Sequence, residues 1–242
     1  LLEWYSSTTG EERGGNGMIS RENTECLKRS KLFQGLELQD ILKICHFALP
    51  SEETYLKNQI VINQGDSVSR IGILKKGTAF STKYHLNGNG QILRVYRQGE
   101  VLSLDAVSTT LSTSPVTLIS QSDSSILFLP YKRMLDLPES DRRIKDVILG
   151  NIGEILGNEL IRLMYKIDVL SKRTLQEKIL TYLSLIREKN CADTFEIDMN
   201  QEQLAQYLCV NRSVLSKELN LMRKNGLIQY QGKCYTVLPK KE

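Results

Sequence analysis

The sequence predicts an α+β chain in three parts. An antiparallel β-roll or jelly roll comes first, then one long helix, then a pair of short helices followed by a hairpin. Three observations predict it. Between Glu53 and Leu129 apolar residues alternate with a period of two, in short runs cut by turn residues. From about Glu139 to Val169 the period becomes helical and holds for three heptads. From Asn200 to Ile228 two short amphipathic segments flank a tight turn.

At 242 residues, 40% hydrophobic and 25% charged, the chain is long enough for two ordinary domains and apolar enough for a real core. Its net charge of +4 is modest but one-sided. From Ser171 onward there are 12 Lys and Arg against 8 Asp and Glu, while the charges of 1–170 cancel. The excess lies on the segment with the helix pair, where it suits phosphate. The five cysteines lie at least 18 residues apart without a CxxC pair, and the two histidines, His46 and His85, join no ligand cluster. That spacing argues against a zinc or iron–sulfur site, so no metal and no cofactor is expected, and it fits a reducing cytoplasm. No apolar run approaches the length of a membrane span, so no membrane partner is expected.

Residues 1–17 are polar and Gly-rich, with no period. The run Glu11-Glu12-Arg13-Gly14-Gly15 ahead of Met18 is what a purine-rich ribosome-binding site would encode. A disordered or artefactual extension over 1–19, with Met18 the native start, is therefore expected. Residues 20–49 have apolar residues at helical spacing, broken at Gly35 and ended by Pro50. Strands are expected at 53–56, 59–63, 69–75, 78–85, 91–97, 116–120 and 125–129. Turn signals at Gln64-Gly65-Asp66, Lys76-Gly77, Asn87-Gly88-Asn89-Gly90 and Gln98-Gly99 separate them. No nucleophile–histidine–acid set and no paired catalytic carboxylates stand out, so an enzyme is not expected.

In the long helix, Leu149, Gly153, Leu156, Leu160, Leu163, Ile167 and Leu170 recur at alternating spacings of 4 and 3. The seam of a two-helix homodimer is expected here rather than a helix packed only on its own sandwich, because it is longer than one small sheet face needs. Gly150, Gly153 and Gly157 weaken the helix and predict close approach of another backbone. A hinge is expected at Asp168–Ser171, then a helix over 172–187. Asn200 should cap the first helix of the pair with Gln203 reaching back, Met199 stapling onto Leu204. Asn211 should cap the second, and Asn225-Gly226 should end it. One arc of that second helix holds Arg212, Arg223, Ser216, Asn220, Ser213, Lys224 and Lys217. The opposite arc holds Leu221, Val214, Met222, Leu215 and Leu219, with only Glu218 out of place. A wet face of Arg, Lys, Ser and Asn suits the DNA major groove. Two alternating runs around Gly232 then form a hairpin, which makes the C-terminal part a winged helix.

From about Leu32 to Leu238 the chain resembles the cyclic-AMP receptor/fumarate-nitrate regulator (CRP/FNR) family of bacterial transcription factors. The resemblance is carried by Gln201-Glu202-Gln203-Leu204-Ala205, Asn211-Arg212-Ser213-Val214-Leu215-Ser216-Lys217 and Asn225-Gly226-Leu227-Ile228. Tyr55–Val61, Gln64-Gly65-Asp66, Lys76-Gly77 and Gln98-Gly99-Glu100 carry it in the roll. It implies a cyclic-nucleotide-binding-like effector domain over 20–138, a dimerisation helix over 139–170 and a winged helix-turn-helix over 171–242. It also implies a homodimer on a pseudo-palindromic double-stranded DNA site, RNA polymerase as a further partner, and a small-molecule effector. Position by position, it implies that Arg212 reads guanine. Ser213 stands where many members have a cytosine-reading Glu, and Lys217 where they have a second Arg. Ser216 and Asn220 would face the same groove, and Asn200 and Gln201 would touch phosphate. Cys209 replaces the usual turn glycine. A regulatory ligand-binding protein whose winged helix docks protein remains the alternative, separable by the steep salt dependence of DNA binding.

The effector pocket of the resemblance would be lined by Leu102, Ser103, Leu104, Thr113 and Ser114. Cyclic-nucleotide binders of the family place there a Glu for the ribose and an Arg for the phosphate. Here Leu104 replaces the Glu, and no Arg lies between Arg97 and Arg133. A buried phosphate without that cation carries a penalty of roughly several kcal/mol. Calorimetric titration with cyclic AMP is therefore expected to show no micromolar binding.

Overall fold

The computed structural model describes residues 19–84 and 90–238. Nearly all of the expected N-terminal extension, and His85, lie outside these residues. Helix α1 (Arg21–Arg29) starts where the Ser20 hydroxyl accepts from the Asn23 amide at 3.1 Å. A 3-10 turn over Lys31–Phe33 leads to α2 (Leu38–Ala48), which ends at Leu49 with φ +48, just before Pro50.

Eight strands follow: β1 (Ser51–Tyr55), β2 (Ile60–Ile62), β3 (Arg70–Lys76), β4 (Ala79–Tyr84), β5 (Gly90–Tyr96), β6 (Val101–Leu102), β7 (Thr117–Ser120) and β8 (Ser124–Pro130). They form two antiparallel sheets, ordered β1-β8-β3-β6 and β2-β7-β4-β5. Leu74, Tyr96, Leu102, Leu118, Ile126 and Phe128 pack as one cluster drawn from both sheets. On the other face of the first sheet, Ile71, Ile73, Leu127 and Leu129 join Leu27, Phe33, Ile41 and Ile44 of the N-terminal helices. Strands β3 and β8 are thus covered on both faces, which is why their apolar runs are nearly continuous. Strand β6 and the short helices α3 (Leu104–Val107) and α4 (Tyr131–Leu135) go unmarked in the sequence because they are too brief to show a period.

Helix α5 (Arg142–Ser171) spans 30 residues. Its first half buries Ile144, Ile148 and Ile152 in the core of the N-terminal helices, and the Asn151 amide donates to the Leu32 and Gln34 carbonyls at 2.9 Å each. The expected hinge moves: the helix runs unbroken through Asp168–Ser171, and the break falls at Lys172–Thr174. There Lys172 turns extended, and Thr174 caps α6 (Leu175–Asn190) in a reciprocal box with Glu177. Strand β9 (Thr194–Glu196), α7 (Gln201–Tyr207), α8 (Arg212–Lys224), β10 (Ile228–Gln231) and β11 (Cys234–Val237) complete the chain, with a sheet ordered β10-β11-β9. Val169 of α5 is buried in the core of this C-terminal part, with Tyr182, Leu204, Leu215, Leu219 and Tyr235.

The β3–β4 turn depends on Gly77. Its φ is +88, and a Cβ there would clash with Ser124 Oγ and stand 2.6 Å from the Asp123 carbonyl. Gly65 has a similar φ of +94 but open space around it. Gly77→Ala is expected to cost about 2–3 kcal/mol of stability in urea unfolding, and Gly65→Ala about 1 kcal/mol.

Candidate nucleic-acid interface

Helix α7 begins as the sequence predicts. The Asn200 side chain accepts from the Gln203 amide and the Gln203 side chain from the Asn200 amide, both at 2.9 Å. Met199 and Leu204 are buried in the same cluster. The turn to α8 passes through Cys209 at φ +59, so the residue in the glycine position takes the left-handed conformation despite its Cβ. Asn211 sits at the N-cap of α8, but its side chain makes no capping hydrogen bond, unlike the expectation. Gly226, at φ +69, follows the helix end.

Helix α8 is seated by Leu215, Leu219 and Met222, each fully buried. These three positions suffice to anchor a 13-residue helix. Val214 and Leu221, expected on the dry arc, are instead 47% and 49% exposed. The face opposite the buried triad therefore holds Ser213, Lys217 and Lys224, with Val214 and Leu221 on one flank and Arg212, Ser216 and Asn220 on the other. Arg212 lies 3.7 Å from Glu202, both side chains more than half exposed, a pairing that water and salt weaken. Asn220 is more committed. Its amide donates to the Ser216 carbonyl at 3.0 Å and accepts from Arg223 at 3.0 Å and Tyr230 at 3.2 Å. It ties α8 to strand β10 of the hairpin. Asn200 is exposed and Gln201 partly so.

The sequence did not point to the seat of this unit on the roll. Strand β5 is the edge of its sheet. A bulge in β5, opposite the Ser81–Thr82 step of its partner β4, leaves Leu93 without a register partner, and the Leu93 carbonyl accepts from Arg162 of α5 at 2.8 Å. Next to it, Lys166 Nζ donates to the Ile92 carbonyl and lies 4.0 Å from the centre of the Tyr207 ring of α7. Gln91 donates to Cys209 Sγ at 3.0 Å, Arg97 pairs with Asp198, and Val95 packs against the C-terminal core. Behind this seam, Arg94 bridges Glu100 at 2.5 Å and Glu159 at 2.6 Å. Burial works against ionisation of Glu159, but the Arg162 hydrogen bond and the Arg94 charge outweigh it and hold the carboxyl below its usual range. Glu159, Arg162 and Lys166 recur at spacings of 3 and 4 on α5, and that polar stripe between Ile155 and Val169 is the signal that could have found them.

Leu102 and Leu104 are buried in two different apolar clusters, with Ser103 between them at φ +62. Thr113 and Ser114 turn their hydroxyls to the Leu111 and Val116 carbonyls at 3.0 and 2.7 Å. Neither of these two segments presents a cation. Along α5, Leu149, Leu160, Leu163 and Ile167 are exposed and Leu156 is half-buried, and among the described residues nothing beyond the helix's own adjoining backbone lies within 4 Å of a Cβ built on Gly150, Gly153 or Gly157. The close backbone approach expected at these glycines does not come from the described residues. Among the described residues no group of three His, Cys, Asp or Glu could hold a metal, and no helix is long and apolar enough to cross a membrane.

Residues 52–141 match the family model of the cyclic nucleotide-binding domain, and residues 177–241 that of the Crp-like helix-turn-helix domain. The chain is 24% identical over 186 residues to the regulatory protein HlyX of Actinobacillus pleuropneumoniae, covering 75% of each. It is 23% identical over 191 residues to the transcriptional activator protein FnrA of Stutzerimonas stutzeri, covering 75% of this chain and 74% of that one. In fold it is similar to the c-di-GMP responsive global regulator CLP of Xanthomonas campestris, with a TM-score of 0.68 at 17% identity, covering 84% of this chain and all of the other.

Lys166 is 4% exposed and faces no carboxylate. Burial pushes its ammonium down to about 8, the Arg162 charge adds to the push, and Cys209 opposes it. Below that pH the folded chain holds a buried cation. Between about 8 and the ordinary 10.5 the unfolded chain keeps a proton that the folded one sheds, so stability rises with pH. Urea unfolding of the wild type is expected to gain about 2 kcal/mol over Lys166→Met between pH about 8 and about 9.5.

Proposed function

This chain belongs to the CRP/FNR family of transcription regulators, and we propose that it works as a homodimer gripping a pseudo-palindromic site on double-stranded DNA. The observation that carries the reading is the exposed face of α8. Arg212, Ser213 and Lys217 stand clear of the core at the end of the helix that would enter the groove, with Ser216 partly exposed beside them. These four are the proposed base readers, and Asn200 and Gln201 the proposed phosphate contacts. Asn220 joins the readers only by giving up its bonds to Tyr230 and Arg223; in the free chain it braces the recognition helix against the hairpin.

The homodimer is supported by α5. From Leu149 to Ile167 the stripe runs about 27 Å along one side of the helix, apolar and, apart from half-buried Leu156, exposed, with glycines facing open space beside it. Leaving such a surface in water is unfavourable, and a second copy would cover it with the same residues. An effector other than cyclic AMP is supported by Leu104, whose side chain is packed into the core where the family's cyclic-nucleotide binders need a carboxylate. The partly buried guanidinium of Arg94 in the roll is already held between two carboxylates and is not free for a phosphate. An effector signal would reach α8 through β5 and α5, the elements on which α7 rests. RNA polymerase is the further partner of the proposal.

Selection from random double-stranded oligonucleotides by the purified chain is expected to return two inverted half-sites roughly 10 base pairs apart, centre to centre. Arg212→Ala is expected to lose ~1–3 kcal/mol of binding and to relax one base position per half-site in footprinting. Binding that does not weaken with added salt would point instead to a protein partner.

A further inference from the structure

The exposed face of α8 is not wholly polar. Val214 is a branched apolar side chain in its first turn, 47% exposed. Lone exposed apolar residues are ordinary on protein surfaces. This one has a particular setting. Its neighbours along the chain and one turn on are Arg212, Ser213 and Lys217, all exposed, and Glu218, which is partly buried. An apolar protein partner pressed onto Val214 would have to strip water from Lys217 without supplying a counter-charge. Duplex DNA supplies the counter-charge and admits a helix in its major groove.

We propose that Val214 reads a thymine in each half-site through its C5-methyl group. The inference rests on the reading of α8 as a major-groove helix. The first turn of such a helix is the part that reaches base edges. Among the four bases, the only apolar feature on a major-groove edge is the thymine methyl. Thymine carries its O4 acceptor beside that methyl, and Lys217, three residues on from Val214, offers donors only. An apolar contact and a donor at this spacing match the two groups that thymine displays. Leu221 is exposed as well, but it lies about 10 Å farther along the helix, away from the tip that enters the groove.

The test uses the full chain and its selected site. Each thymine is replaced in turn by deoxyuridine, which removes only the methyl, and affinity is read by fluorescence anisotropy. The wild type is expected to lose about fourfold at one thymine per half-site, the transfer of roughly one buried methyl. Val214→Ala is expected to bind both oligonucleotides equally at that position, and Leu221→Ala to keep the wild-type difference. A selected half-site without thymine, tolerance of deoxyuridine at every position, or a methyl preference that survives in Val214→Ala would overturn the inference while leaving DNA binding intact. Failure to bind any duplex would overturn the DNA-binding reading, and the inference with it.

Discussion

A single helix has to belong to two hydrophobic cores at once. Helix α5 gives Ile144, Ile148 and Ile152 to the N-terminal core and Val169 to the C-terminal one. At 100° per residue, Val169 stands within about 60° of the mean direction of those three isoleucines. Both cores therefore gather on the same side of the helix. That phase brings β5 and α7 together, and it leaves Leu149, Leu160, Leu163 and Ile167 without cover on another side. One shift of helical phase would separate the two units or bury the stripe.

The junction created in this way is polar, and its charges are unequally served. Arg94 and Arg162 find carboxylates in Glu100 and Glu159, an arrangement in which burial strengthens attraction as well as raising its cost. Lys166 has a carbonyl and an aromatic ring. Its depressed pKa corresponds to about 3 kcal/mol held against the charged form. A leucine would fill the space without that cost, but it would leave the Ile92 carbonyl at a sheet edge without its donor. The same lysine touches the roll, α5 and α7, so whatever alters its seat alters the position of the DNA-facing unit.

At the far end, α8 is held by few residues. Leu215, Leu219 and Met222 fill the C-terminal core, and the Asn220–Tyr230–Arg223 cluster fastens the helix to the hairpin. Most of the remaining surface of α8 is available to a ligand. The seating is economical because a small core of two helices and a hairpin offers room for only one narrow stripe of a third face. Val214 and Leu221 are displaced from the core by this geometry. They are hydrophobic by composition and surface residues by position.

By itself the sequence determined the order of elements, the antiparallel roll, the long helix, the capping box of Asn200 and Gln203 and the glycine turns at Gly65, Gly77 and Gly99. These follow from local rules: periodicity, capping chemistry and the steric freedom of glycine act within a few residues. Only the tertiary structure decided that α5 continues through Asp168–Ser171, because packing of Val169 into the C-terminal core extends a helix that local signals would end. It likewise decided that Val214 faces outward, that Asn220 is tied to the hairpin, and that Lys166 is buried and Arg94 partly buried at a junction of three elements. Each of these depends on a neighbour distant in sequence: Tyr230 for Asn220, Glu159 for Arg94, Ile92 and Tyr207 for Lys166. A periodic pattern records which face of a segment is apolar. Which part of that face is covered depends on how much of it the facing core has room to accept.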